Sequence, residues 1–460
     1  MNQTSYDSPR IKEYLKVSPE TKAIVIGQGV LEQLPSLIES HFGKQRVRIV
    51  ADENTYEAAG KDVWERLTAC GVCDSQPFVF PGSPHLLPDF EYVLAVQEWL
   101  GQSDAVPMSV GSGTLNDLTK LASFRLGRQY VTVATAASMD GYASSGSPII
   151  TDGYKKTING AAARVIVADT DVLVAAPADL TAAGYADLLG KVTSGADWIL
   201  VDELGIDPIE KIGWDMVQPH LEEWTGRPEN LASGEPAAFA GLLEGLTLCG
   251  LAMQVTGSTR PASGAEHQIG HLWEMSGVEY AGEHMLHGFT VALGSIAVAA
   301  LYEYLLAQDL DRVDIDSVVA SWPSAEWVGS WVREELTSYL PIIADRGVKE
   351  SLDKYVDADV LRDRLNLLVA RGPSLRARLQ AQLLSAGELR RRFEVTGCPT
   401  APKEYGLSRG DMRRACMLAG QTRNRYTILD ILTEMGQLEQ GVDCALASGG
   451  VWDDNDWRQE

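Results

Sequence analysis

The sequence predicts an α/β domain built on a parallel sheet, followed by an all-helical domain. Three observations predict it. Short apolar runs alternate with amphipathic stretches between about residues 23 and 174, the signature of strand–helix–strand crossovers. An apolar run ending at Val110 passes straight into the turn Gly111-Ser112-Gly113-Thr114 and then a helical pattern. From about Pro177 onward helical periodicity dominates to the C-terminus. The domain boundary is therefore placed between residues 1–176 and 177–460.

The elements follow in order. Met1 to Glu20 is a polar, partly ordered lead. Ala23 to Ile26 is a first strand, turning at Gly27-Gln28-Gly29, and Leu31, Leu34, Leu37 and Ile38 share one side of a helix. Arg46 to Val50 is a second strand ending at Asp52, with a helix from about Tyr56 to Ala69. Pro77 to Phe80 is a third strand and Glu91 to Leu100 a helix. After the strand ending at Val110, a helix carries Leu115, Leu118 and Leu121, and Val131 to Thr135 is a further strand. Residues 134–160 are rich in small and polar types, the composition of a ligand-lining loop. Asp140 is its first acid, and Lys155 and Lys156 are its only cations. Val165–Ala168 and Asp171–Val174 are expected to pair as short strands. Beyond Pro177, Asp187, Lys191 and Ser194 recur at helical spacing as a polar stripe, expected to be solvated. The arginine-rich stretch Arg364–Arg392 is expected as an exposed amphipathic helical pair, and the acidic tail Val451–Glu460 to fray.

Composition narrows the function classes. A hydrophobic content of 45% and a charged content of 22% are ordinary for a globular chain of 460 residues. The net charge of −24 argues against nucleic acid or an anionic membrane as partner, since both need a basic face. A small phosphorylated substrate is compatible, because it needs only a local group of donors. No apolar core segment marks a secretory signal in the first twenty residues. The most lipid-like run, Phe289 to Tyr302, ends at Glu303 and reads as a buried core helix rather than a membrane insertion. The six cysteines are scattered, as in a reduced cytoplasmic protein.

Arg260 to Gly288 holds four of the seven histidines: His267, His271, His284 and His287. Neutral imidazole is a common ligand for transition metals. His267 and His271 are four apart and would share a helix face, with Ser263 placed to cap that helix. A loop after Gly277 and a long apolar helix opening at His287-Gly288 could fold His287 back beside His267. A metal site and an ordinary polar cluster are both open readings at this point. The segment is not a zinc-protease motif, because Gln268 stands where the catalytic glutamate would be. At Gly111–Thr114, glycines would let backbone N–H groups approach a phosphate at a helix N-terminus. The turn lacks the third glycine of the dinucleotide fingerprint, so a plain tight turn is equally open. Asp52 ends the second strand, where an acid often accepts ribose hydroxyls.

Several stretches together, GSGTLNDLTK, TAASMDGYASSGSPII, TAAGYADLLGK, SGAEHQIGHLWEM, HGFTVALG and RNRYTILD, resemble the bacterial glycerol-1-phosphate dehydrogenases. That family lies in the superfamily of iron-containing alcohol dehydrogenases, glycerol dehydrogenases and dehydroquinate synthases. The resemblance keeps the motifs in order from about residue 20 to about residue 450. It implies a dehydroquinate-synthase-like fold, an N-terminal NAD(P)-binding domain and a helical metal- and substrate-binding domain. It implies one divalent metal held by Asp187, His267 and His287, a donor set that suits zinc, nickel or ferrous iron. It implies His271 in the substrate pocket, where it is the candidate proton donor. Gly111, Gly113, Thr114 and Asp117 would meet the cofactor pyrophosphate. Thr135, Ser138 and Asp140 would flank the nicotinamide, with Asp140 counted beside His271 among catalytic residues. Lys155 and Lys156 are candidates for the substrate phosphate on charge alone. The implied reaction is NAD(P)H-linked reduction of dihydroxyacetone phosphate to sn-glycerol 1-phosphate by a cytoplasmic homodimer. Alternatives are a glycerol or polyol dehydrogenase, a sugar-phosphate cyclase of the same superfamily, or a non-catalytic nucleotide or metabolite sensor. One departure is Phe289 after the His-Gly pair, where many relatives carry a polar or acidic residue.

Overall fold

A computed structural model of the chain describes residues 4–151 and 154–458. It divides into two compact units, Met1–Leu188 with Ile212–Thr259, and Leu189–Lys211 with Arg260–Glu460.

The first unit is built on β1 (Thr4–Ser5), β2 (Ala23–Gln28), β3 (Val47–Asp52), β4 (Phe78–Phe80), β5 (Val106–Gly111), β6 (Val131–Ala134) and β9 (Val165–Asp169). They form one seven-stranded sheet in the order β1-β2-β9-β6-β5-β3-β4. Every neighbouring pair is parallel except β1 with β2. β5, β6 and β9 are buried along their whole length, as strands covered on both faces must be. One covering layer brings Leu34, Ile38, Val63 and Leu67 against β3 and β5, and the other brings Val93, Leu115, Leu118 and Leu121. The chain leaves β3 for β4 on one side and comes back to β5 on the other. The C-terminal ends of β3 and β5 therefore flank a topological switch point, where open α/β sheets leave a crevice for ligands.

Two expectations for this unit change. Residues 134–160 are not loop throughout: β7 (Gly146–Thr151) and β8 (Tyr154–Asn159) pair as an antiparallel ladder. Its small and polar residues disguise one buried anchor, Ile149, which packs with Leu115 and Leu118. Asp171–Val174 is helical, inside the helix Thr170–Ala175, and does not pair with β9. The Asp169 carboxylate accepts the Asp171 N–H (3.1 Å) and caps that helix, while β9 already has β2 and β6 on its two sides. The N-terminal lead is held by Glu244, buried in the helix Pro236–Thr256. Tyr6, Arg10 and Trp224 all donate to its Oε2, at 2.9, 3.0 and 2.9 Å.

Among the described residues, the regular structure of the second unit is helical apart from one two-stranded ladder, β10 (Glu279–Tyr280) with β11 (Glu283–His284). The loop expected after Gly277 is this hairpin. Its two-residue turn, Ala281-Gly282, has positive φ at both positions (52° and 82°), the backbone that matches strand twist. The helix His287–Ala307 is buried over most of its length and packs on the helix Ala265–Ser276. Two glycines set how closely. A Cβ on Gly294 would lie 2.4 Å from the Glu266 carbonyl oxygen, and one on Gly270 would lie 2.8 Å from Thr290 Oγ1. Pro236–Thr256 and His287–Ala307 are each long and apolar enough to cross a membrane, but 78% and 83% of their apolar windows are buried inside the structure.

Three further expectations are corrected. The polar stripe is not solvated: Asp187, Lys191 and Ser194 are all buried. It also spans two helices, Ala178–Leu189 and Lys191–Glu203, with Gly190 between them. The arginine-rich pair does form two helices, Ala358–Gln382 and Ala386–Val395, but it is not simply exposed. Arg392 is buried, and Arg378 pairs with Asp202 and Glu203 at 2.7 and 2.8 Å. The tail is docked rather than frayed over residues 451–458, and its last two residues lie outside the described ones. Trp452 is buried and donates its indole N–H to the Thr400 carbonyl (2.8 Å), and Asp456 pairs with Arg390 (2.7 Å).

Candidate active site

In the first unit, β5 ends at Gly111 and the helix Gly113–Arg125 begins at once. A Cβ on Gly111 would come within 2.4 Å of the Leu115 side chain, so the tightness of the turn requires glycine. The N-cap residue Ser112 makes no side-chain cap. Its hydroxyl instead pairs with that of Ser138 (2.9 Å). Ser112, Gly113 and Thr114 are half-buried, so the first backbone N–H groups of this helix meet the crevice at the switch point. The Thr135 N–H donates to the Gly111 carbonyl (3.2 Å) and holds the ends of β5 and β6 together.

The acids singled out here have structural partners. The Asp52 carboxylate accepts the Thr55 N–H (2.7 Å) and caps the helix after β3. Asp117 is buried and pairs with Lys120 (3.1 Å), which is itself fully buried. Burial pushes the Asp117 carboxyl up, and the Lys120 charge pulls against that. Lys120 also donates to the carbonyls of Gly141 and Gly146, both at 2.9 Å, tying down the segment that carries Ser138 and Asp140. Lys155 and Lys156 lie half-buried on β8, and the Lys155 charge acts on Asp117. Asp187 is buried near the end of the helix Ala178–Leu189, and its Oδ2 accepts the Asp140 N–H (3.0 Å).

In the second unit, three of the four expected histidines come together. The ring centroids of His267 and His287 are 5.2 Å apart, those of His271 and His287 5.4 Å, and those of His267 and His271 5.9 Å. His284 is exposed on β11 and is not part of the cluster. Two of the three rings are hydrogen-bonded to a carboxylate. His267 Nδ1 donates to Glu266 Oε1 (2.7 Å), and His287 Nδ1 donates to Glu274 Oε1 (2.6 Å). A carboxylate can only accept, so Nδ1 carries the proton and Nε2 is the unprotonated nitrogen of each ring. Metal-binding histidines are oriented in this way, and the donor chemistry fits a divalent transition metal. Glu274 also accepts from Thr290 Oγ1 (3.1 Å) and lies 3.5 Å from His271 Nδ1. Burial, and after it the charge of Arg423, pushes His271 down to about 3. Its imidazole is therefore neutral at pH 7.

The start of the histidine helix is not capped by Ser263. Glu266 Oε1 accepts the Gly264 N–H (2.6 Å), and Asp197 Oδ2 accepts the Ala265 N–H (2.7 Å). Both acids are buried, and burial together with the nearby Glu266 charge raises Asp197. Sequence reasoning missed Glu266, Glu274, Asp197 and Lys120. Glu274 had a visible signal, its i,i+3 spacing from His271 on one helix face. Asp197 and Glu266 had none, since 69 residues of chain separate them.

The family model of iron-containing alcohol dehydrogenases matches residues 25–177. Glycerol-1-phosphate dehydrogenase (NAD(P)+) of Bacillus velezensis is 32% identical over 373 residues, covering 77% of this chain and 92% of its own. The enzyme of that name from Geobacillus thermodenitrificans is 28% identical over 425 residues, covering 90% and 93%. Among solved structures, a probable glycerol dehydrogenase from Sinorhizobium meliloti superposes with a TM-score of 0.57 at 16% identity, covering 92% of this chain and 97% of that one. A sulfoacetaldehyde reductase from Bifidobacterium kashiwanohense, solved with NAD+, gives a TM-score of 0.57 at 15% identity, covering 94% and 98%. At such identities the structural likeness speaks to fold alone.

Proposed function

The chain belongs to the glycerol-1-phosphate dehydrogenase family, and on that premise we propose that it reduces dihydroxyacetone phosphate to sn-glycerol 1-phosphate with NAD(P)H. One divalent metal, zinc, nickel or ferrous iron, would be held by Asp187, His267 and His287. The observation that carries this reading is the His267–His287 pair with a carboxylate behind each ring. A purely structural histidine pair has no need of two acids setting both tautomers alike.

When bound, the metal polarises the ketone oxygen and the nicotinamide supplies the hydride. The protein does the rest by placement. Glu266 and Glu274 hold His267 and His287 with Nε2 as donor. Asp187 brings the one formal negative charge to the set, oriented by the Asp140 N–H. His271, neutral and stacked on His287 at an interplanar angle of 26°, positions the hydroxyl end of the substrate or a water that delivers the proton to the new alcohol. The backbone of Gly111, Gly113 and Thr114 receives the cofactor pyrophosphate, with Thr135, Ser138 and Asp140 beside the nicotinamide. Asp52 reaches the adenosine ribose, and Asp117 supports the pyrophosphate turn through Lys120. Lys155 and Lys156 offer positive charge for a phosphate. On this reading residues 1–176 serve the cofactor and residues 177–460 the metal and substrate, in a cytoplasmic homodimer. Sedimentation and cell fractionation test the last two points.

The deciding experiment is a steady-state assay with NADH and NADPH and a panel of ketones, on metal-stripped and metal-restored protein. Cofactor oxidation with dihydroxyacetone phosphate that needs restored metal supports the proposal. No net oxidation with any ketone, by protein shown to hold metal, would sink it.

A further inference from the structure

Arg423 is a half-buried guanidinium with no hydrogen bond or ion pair within 4.0 Å among the described residues. That is unusual in a chain with 63 acids against 39 lysines and arginines. Its backbone is firmly held beside the histidine helix. Gln268 Nε2 donates to the Arg425 carbonyl (2.9 Å), and Thr427 Oγ1 donates to Gln268 Oε1 (3.2 Å). Arg260 Nη1 donates to the Tyr426 carbonyl (2.9 Å), and the Arg425 guanidinium donates to the Ser263 carbonyl. The Asn424 N–H donates to Glu350 (2.8 Å).

The groups that Arg423 feels electrostatically are Arg346, Glu350, Glu274, Arg425 and His271. Its two carboxylate neighbours are engaged elsewhere. Glu350 takes Arg346 (3.4 Å) and the Asn424 N–H, and Glu274 takes His287 and Thr290. Meanwhile Arg346 and Arg425 add positive charge. Burial and Arg346 lower Arg423, and burial with Arg260 and Arg423 brings Arg425 down to about 9. A half-buried guanidinium with no carboxylate in contact is costly to hold there unless an anion completes it. A guanidinium suits a phosphate dianion because its planar fork can donate two parallel N–H bonds. Lys155, by contrast, already answers the charge of Asp117 in the other unit.

We propose that Arg423 is the specificity-determining residue that takes the substrate's phosphate monoester at an anion subsite beside His271, in preference to Lys155 and Lys156. This deepens the reading above and rests on it for the identity of the ketone. The ligand chemistry is a small phosphate monoester, and the same subsite accepts inorganic phosphate.

The test compares wild type, Arg423→Gln, Arg423→Lys and a Lys155→Ala/Lys156→Ala double variant. Each is assayed with dihydroxyacetone phosphate and with unphosphorylated dihydroxyacetone. Each is also titrated calorimetrically with inorganic phosphate while NAD+ fills the nucleotide turn, and its metal content is measured. In Arg423→Gln, the kcat/KM ratio of phosphorylated to unphosphorylated ketone should fall about 10–100-fold, the range for one charge-assisted contact. Phosphate binding should be lost and metal content kept. Arg423→Lys, which keeps the charge but not the fork, should recover part of the ratio. An unchanged ratio and unchanged phosphate binding in Arg423→Gln, or a selective loss confined to the lysine double variant, would overturn the subsite. The two readings fail separately. Wild type that reduces no phosphorylated ketone but loses phosphate binding on Arg423→Gln keeps the subsite and discards the activity. Wild type that reduces dihydroxyacetone phosphate with Arg423 immaterial does the reverse. Arg423→Lys carries the phosphate titration should the glutamine variant fail to fold.

Discussion

At the glycine turn after β5 in the first unit, the groups proposed to meet a ligand are backbone N–H groups, and at the histidine cluster of the second they are ring nitrogens. The side chains around the turn are also engaged in holding the fold. Asp52 caps a helix, Asp117 pairs with Lys120, and Ser112 bonds Ser138. At the histidine cluster the side chains make up the proposed site, so they need second groups to aim them. Glu266 aims His267, Glu274 aims His287, and Asp197 holds the start of the helix that carries His267. A backbone-built site tolerates a structural role for its acids. A side-chain-built site depends on a supporting layer, and removing that layer should cost function before it costs the fold.

This contrast can be broken most directly at the proposed ligands. His267→Ala, His287→Ala and Asp187→Ala should each lower metal affinity by more than the about 10–100-fold that loss of a supporting partner costs. Elemental analysis after dialysis, with circular dichroism to show a folded protein, reads this. Full metal content and turnover in His287→Ala would remove His287 from the ligand set. The opposite profile is expected at Lys120. Lys120→Ala strands the buried Asp117 carboxylate and the Gly141 and Gly146 carbonyls, and should cost about 3–5 kcal/mol of stability. Urea unfolding measures it, and metal binding by the fraction that remains folded should be normal.

Glu274→Gln sharpens the comparison. The volume is kept but the anion is lost, so metal affinity should fall about 10–100-fold with little change in melting temperature. A stability loss without an affinity loss would make Glu274 a structural acid like Asp117. Gly294→Ala tests the helix spacing beneath the cluster. Its Cβ would meet the Glu266 carbonyl at 2.4 Å, and such overpacking costs about 1–3 kcal/mol. Metal affinity should fall along with stability, because the collision lies one residue from His267. The smallest effect concerns pH. Burial and the Glu266 charge raise Asp197 above the ordinary carboxylate range. The folded state therefore holds that proton more tightly than the unfolded state, and the associated stability is lost as pH rises from the ordinary carboxylate range towards neutrality. Melting temperatures across that window should slope downward in wild type and flatten in Asp197→Asn.

Much of the first unit could be read from the chain because its strands are short, apolar and buried on both faces. β2, β3, β5, β6 and β9 all fall where apolar runs stand. The helix Thr170–Ala175 escaped because its six residues are too few to show a period and its cap, Asp169, ends a strand. The β7–β8 ladder escaped because its inward face is carried by few residues, Ile149 chief among them. The docked tail escaped because Trp452 and Asp456 find their partners, Thr400 and Arg390, more than fifty residues upstream.

For the site, residue type and local spacing were enough to nominate His267, His271 and His287, since imidazoles at helical spacing and a helix opening on His-Gly are short-range features. The order of motifs added Asp187 and the nucleotide turn. No local pattern could say that Glu266 and Glu274 stand behind the rings, that Lys120 neutralises Asp117, or that Arg423 goes without a carboxylate. Periodicity and turn chemistry act over a few residues and are written in the chain itself. Hydrogen bonds, charge compensation and its absence depend on which distant groups packing brings within a few ångströms, and that was decided only when the helices closed on one another.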